Sequence, residues 1–158
     1  MVSGEAVRGM LKKEGAGMLR GISPLISPEL LRVLSEMGHG DEIVLADANF
    51  PTENYGQRAI RADGIGAAAL LEAILPLFPL DQYDPSNFVL MEVVPGDSYE
   101  PVIWQDFHKA LKRFEPEAQV EYMERFAYYE RAKKAYAIIA SGEMAQYANI
   151  ILKKGVVK

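Results

Sequence analysis

Four short apolar runs constrain this chain most: EIVLA (42–46), FVLMEVV (88–94), YAIIA (136–140) and the NIIL within YANIILKKG (147–155). Each is too short for a buried helix and too continuously apolar for a strand with one wet face. Such runs suit strands covered on both sides, the condition of a parallel sheet under two layers of helix. The segments between them carry helical spacing instead. In SPELLRVLSEMG (27–38), Ser27 is a cap, Pro28 the first helical residue, Gly38 the stop, and Leu30, Leu31, Leu34 and Met37 the apolar stripe. GIGAAALLEAILPLF (64–78) reads as a helix ending near Pro76 with Asp63 as its cap, and VIWQDFHKALKRF (102–114) and YYERAKKA (128–135) as two more. RAIRA (58–62) reads as a short strand and AQVEYM (118–123) as an edge strand. Strands alternating with helices predict an α/β fold, a compact α/β/α sandwich with a largely parallel sheet. Residues 18–158 form its single domain, and residues 1–17 read as a flexible N-terminal extension, with Met18 a candidate natural start.

Composition removes whole classes of function. Seventeen Lys and Arg against 22 Asp and Glu leave a net charge of −5 and no basic cluster. Nucleic acid is therefore not an expected partner, because its phosphates require many cations, and neither is an anionic membrane surface. With no cysteine in the chain, disulfides, thiolate catalysis and cysteine-type zinc sites are excluded. No apolar run reaches the roughly 18 residues of a membrane span, and the first residues lack a signal-type apolar core. The expected location is the cytoplasm.

In open α/β sheets, ligands gather at the carboxyl ends of strands. Asp47 falls at such an end, immediately after EIVLA, whereas Tyr147 and Asn149 precede the last strand. His39 stands between two glycines in MGHGDEIVLADANFP (37–51). Local residues leave two readings of it: a capping or surface histidine in a tight turn, or a general acid–base group that titrates near neutrality. His108, beside Lys109 in a helix, reads as solvated, and two isolated histidines do not make a metal set. GIGAAA (64–69) matches the glycine pattern that cradles a pyrophosphate. The strand before it is short and polar, and no acidic residue closes the next strand at the required spacing, so its small residues are read as close helix–sheet packing. RFAYYERAKKAYA (125–137) mixes aromatic and charged residues as an amphipathic helix does. Arg125, Tyr129 and Tyr147 are nonetheless the donors expected around a polyhydroxy ligand, which needs directed hydrogen bonds and an apolar wall.

Taken together, MGHGDEIVLADANFP, IRADGIG, RFAYYERAKKAYAI and YANIILKKGV resemble the D-ribose pyranase / L-fucose mutarotase family from about Met18 to Val157. MGHGDEI, ADANFP and RFAYYERAKKA resemble the fucose branch most, while Ala148 stands where that branch often has glycine. The resemblance implies an isomerase that interconverts the α and β anomers of L-fucose by acid–base-assisted ring opening, with D-ribose pyranase-type isomerisation or non-catalytic sugar binding as alternatives. It implies His39 as the catalytic proton donor or acceptor, with Tyr147 as a second candidate. It implies Asp47, Arg125, Tyr129, Tyr147, Ala148, Asn149 and Asp81 as substrate contacts, Ala148 through its backbone. No metal and no cofactor is expected. The partners are a monosaccharide and further copies of the chain, a homo-oligomer such as a decameric ring with sites at subunit contacts.

Overall fold

A computed structural model describes residues 19–158. The extension expected over residues 1–17 lies outside them. In chain order the elements are α1 (Pro28–Glu36), β1 (Glu42–Ala46), α2 (Thr52–Tyr55), β2 (Ala59–Ala62), α3 (Ala67–Ile74), β3 (Phe88–Met91), α4 (Ile103–Phe114), β4 (Val120–Met123), α5 (Arg125–Lys134), β5 (Ala137–Ser141) and β6 (Ile150–Lys153). One six-stranded sheet runs in the order β2-β5-β1-β6-β3-β4. β1, β2 and β5 are mutually parallel, and β3 is parallel to β4. β6 lies antiparallel between β1 and β3, so five strands share one direction and the last is inserted against it.

The apolar runs are buried because the sheet is covered twice. In β1, Ile43 and Leu45 face a core shared with Leu30 and Leu34 of α1, Leu70 and Ile74 of α3, and Phe107 and Leu111 of α4. Val44 and Ala46 point the other way, into a core with Phe50, Tyr128 and Ala132. The period-two alternation of a strand thus supplies both layers of the sandwich.

Several local readings change at the element ends. Ser27 does cap α1, its side chain accepting from the Leu30 N–H at 3.1 Å. Val33 rather than Leu31 completes the buried face, and the helix stops in extended backbone at Met37, one residue before Gly38. Asp63 does not cap α3. It pairs with Arg61, and the carboxylate of distant Glu143 accepts from the Ala67 N–H at 3.3 Å. The run FVLMEVV is strand only over its first four residues. α5 begins at Arg125, earlier than the spacing suggested, because Glu124 accepts from the N–H groups of Phe126 and Ala127.

Candidate active site

Antiparallel insertion of β6 decides which residues meet. Leu45 pairs with Ile150, so the end of β1 lies beside the start of β6. Asp47 and Asn149 therefore face each other although 102 residues separate them. The Asn149 amide oxygen accepts from the Asp47 N–H at 2.8 Å, and its Nδ2 donates to Asp47 Oδ2 at 3.1 Å. Asp47 Oδ1 accepts from the Asn49 N–H at 3.0 Å. Burial pushes the Asp47 carboxyl above its ordinary value, and these donors offset only part of that.

A cavity of about 220 Å³ opens over this pair. Asp47, Asn149, Tyr147, Arg125 and Tyr129 all line it, as do Asn49, Gln146 and Val94. Five of the residues predicted from sequence are thus gathered by β1, β6 and the first turns of α5. Arg125 forms no salt bridge among the described residues, and its guanidinium lies 4.6 Å from the Phe126 ring centre. One wall is aromatic: Phe50 and Tyr129 meet edge to face with centres 5.7 Å apart, and Tyr55 packs edge-on against both from behind. The adjacent Tyr128 points inward instead and is fully buried, which separates the two tyrosines by function of facing alone. Ala148, between two cavity residues, turns its methyl into the core on the α1 side.

Tyr147 is the one non-glycine residue with positive φ among those described, at 59°. A left-handed tyrosine costs on the order of 1–3 kcal/mol, so its surroundings must hold it. The Trp104 indole N–H donates to its carbonyl at 2.8 Å. Its hydroxyl donates to Asp97 Oδ2 at 2.6 Å and accepts from the Val94 N–H at 3.3 Å.

His39 and Asp81 lie elsewhere. His39 precedes β1 and Asp47 follows it, so a five-residue strand, roughly 16 Å of rise, stands between them. His39 Nε2 is 3.0 Å from Asp81 Oδ1, its side chain 46% exposed and its ring beside Tyr83. Burial acts to raise the Asp81 carboxyl, but the Tyr83 N–H, His39 and Lys153 together outweigh it and hold it below its ordinary value. The loop carrying Asp81 is pinned from two sides. Lys153 binds Asp84, and Arg131 donates to the Ser86 side chain and carbonyl while pairing with Glu42.

Residues 20–157 match the model of the RbsD / FucU transport protein family. The chain belongs to this family. It is 54% identical over 140 residues to an L-fucose mutarotase of Actinobacillus pleuropneumoniae, covering 88% of this chain and 97% of that one. Among solved structures, a fucose mutarotase of Streptococcus pneumoniae in complex with L-fucose superposes with a TM-score of 0.85 at 50% identity, covering 89% of this chain and all of that one. A FucU protein of Bifidobacterium longum does so with 0.85 at 51% identity, covering 87% and 99%.

GIGAAA serves packing in this fold. Gly64 takes φ +85°, and a Cβ on Gly142 would stand 2.6 Å from the Gly64 nitrogen, so the two glycines let β2 and β5 end in close contact. The Glu143 carboxylate occupies the N-terminus of α3, where a phosphate would have to sit. His108 is exposed as expected, with its ring edge-on to Phe88. Among the described residues no cluster of three or more His, Cys, Asp or Glu is placed to hold a metal, and no helix is long and apolar enough to cross a membrane. Asn49 and Gln146 were missed by sequence reasoning. Both adjoin predicted residues, and their signal was that adjacency.

Proposed function

We propose that this protein is an L-fucose mutarotase, an isomerase of the α and β anomers. One observation carries the reading: a carboxylate, an amide, a phenol and an unpaired guanidinium converge on a small cavity with an aromatic wall, in a chain whose relatives are named for this activity. Sugars demand such directed polar groups beside an apolar face. Opening the ring requires a proton at the ring oxygen and the removal of another from the anomeric hydroxyl. Rotation of the freed aldehyde and closure on its other face complete the exchange. Both proton movements are general acid–base steps.

In this reading Asp47, Arg125, Tyr129 and Asn149 hold the hydroxyl groups, Ala148 contributes backbone, and Tyr147 and His39 move protons. The distance between the two ends of β1 supports a set divided between two chains. His39, with Asp81 behind it, serves the cavity of a neighbouring copy, so the working unit is a homo-oligomer such as a decameric ring. His39 suits this role, being exposed yet oriented by a carboxylate. We place the reaction in the cytoplasm.

The test is NMR saturation transfer between the anomer signals of L-fucose, with D-ribose in parallel. Faster exchange with fucose is the expected result. Greater acceleration with ribose would move the reading to a pyranase. Binding of fucose without faster exchange would leave a sugar-binding protein.

A further inference from the structure

The segment Glu92–Val102, absent from the sequence-based site, meets Tyr147 through Val94, Asp97 and Tyr99. Asp97 Oδ1 accepts from the Tyr99 N–H at 2.9 Å, which closes a tight turn. Its other oxygen accepts from the Tyr147 hydroxyl at 2.6 Å. The Tyr99 ring stacks beside the Tyr147 ring, their centres 6.0 Å apart and tilted by 31°. Trp104 fixes the carbonyl of the same strained residue.

A phenol has one proton and two lone pairs. The proton of Tyr147 goes to Asp97, and one lone pair takes the Val94 N–H. The remaining lone pair belongs to a side chain lining the cavity. A sugar hydroxyl meeting it must therefore donate. We propose that Asp97 receives a proton through Tyr147, so that the two form the base of the ring-opening step, with Asp97 a positioning residue that never touches the sugar. This rests on the mutarotase reading.

The step balances. The anomeric O–H breaks and its proton passes to Tyr147 Oη, while the proton of Tyr147 passes to Asp97 Oδ2. The electron pair of the anomeric O–H becomes the C1 carbonyl bond. The C1–ring oxygen bond breaks, and the ring oxygen takes a proton from the acid, His39 in the proposed assembly. Closure on the other face reverses each transfer, and no proton is gained or lost. Asp97 is exposed, so it exchanges protons with solvent between turnovers. Arg125 is the other charged side chain acting on this phenol, and the Tyr99 N–H and the Tyr147 hydroxyl are the groups that face the Asp97 carboxylate.

The experiment measures fucose anomer exchange for wild type, Asp97→Asn, Tyr147→Phe, the double variant and Asp97→Ala with added formate. Asn keeps an acceptor for the phenol but cannot take its proton. Asp97→Asn is expected to lose kcat by about a hundredfold with KM little changed. The double variant should be no slower than Tyr147→Phe alone, because both remove one relay. Formate, which reaches an exposed position, should restore Asp97→Ala in proportion to its concentration. Near-wild-type kcat in Asp97→Asn, multiplying losses in the double variant, or no response to formate would each overturn the relay while leaving the mutarotase reading intact. An inactive wild type with a native melting transition would overturn both.

Discussion

The two ends of β1 are built in opposite ways. At its carboxyl end, Asp47 is 8% exposed and locked to Asn149 by two hydrogen bonds between strand termini. At its amino end, His39 is 46% exposed on a turn through Gly40 at φ +88°, and a single carboxylate orients it. One end is a preformed template whose geometry comes with the sheet. The other is a presented side chain whose geometry comes from a pinned loop. The aspartates register the contrast: burial raises Asp47, while donors and cations hold Asp81 down. In the proposed assembly, a group that recognises hydroxyls benefits from rigidity, and one that reaches another copy benefits from exposure.

The largest expected effect falls at the exposed end. His39→Ala should slow fucose exchange by about 10²–10⁴-fold while its melting temperature stays near that of wild type, as saturation transfer and circular dichroism would show. A severe loss of stability with retained rate would erase the contrast. At the template end, Asn149→Ala leaves the buried Asp47 N–H and carboxylate short of partners. It should cost about 1–3 kcal/mol in urea unfolding and weaken fucose binding as well.

Acid titration of stability sharpens the comparison through its sign. The folded-state pKa of Asp81 is lowered, so its contribution is present above the ordinary carboxylate value and disappears as pH falls through the lowered one. That of Asp47 is raised, so the folded state loses stability as pH rises from the ordinary value through the raised one. Relative to wild type, Asp81→Asn should therefore become worse with rising pH in the acid range, and Asp47→Asn should improve. Parallel curves for the two would refute the opposed environments. The smallest effect is that of His108→Ala, at an exposed residue of α4 that neither lines the cavity nor bonds to His39 or Asp81. It should change stability by no more than about 0.5 kcal/mol and leave exchange unaltered.

Much of this architecture was readable from local residues. The runs at β1, β3, β5 and β6 declared themselves because a strand buried on both faces leaves no room for polar residues. Asp47 was readable as a site residue because it ends such a strand. What could not be read depended on partners far along the chain. The cap of α3 comes from Glu143 rather than adjacent Asp63, and Asp97 becomes relevant only because Tyr147 returns to it from 50 residues away. The separation of His39 from the cavity follows from strand direction, which places residues before and after β1 at opposite ends of the strand. Sequence motifs that lie eight residues apart looked like one site for that reason.

The antiparallel strand at the centre of the sheet also governs when the molecule can become itself. During folding the segments of β2, β5 and β1 can pair, and so can those of β3 and β4, before β6 is inserted between them. The two partial sheets then face each other with β1 and β3 as open edges, the kind of surface on which nascent chains aggregate. β6 joins them through pairs such as Leu45 with Ile150, contacts of great sequence separation and hence of slow formation. Asn149 and Tyr147 arrive with that strand. Folding and the acquisition of the cavity are thus coupled, and a chain truncated before Tyr147 should have neither.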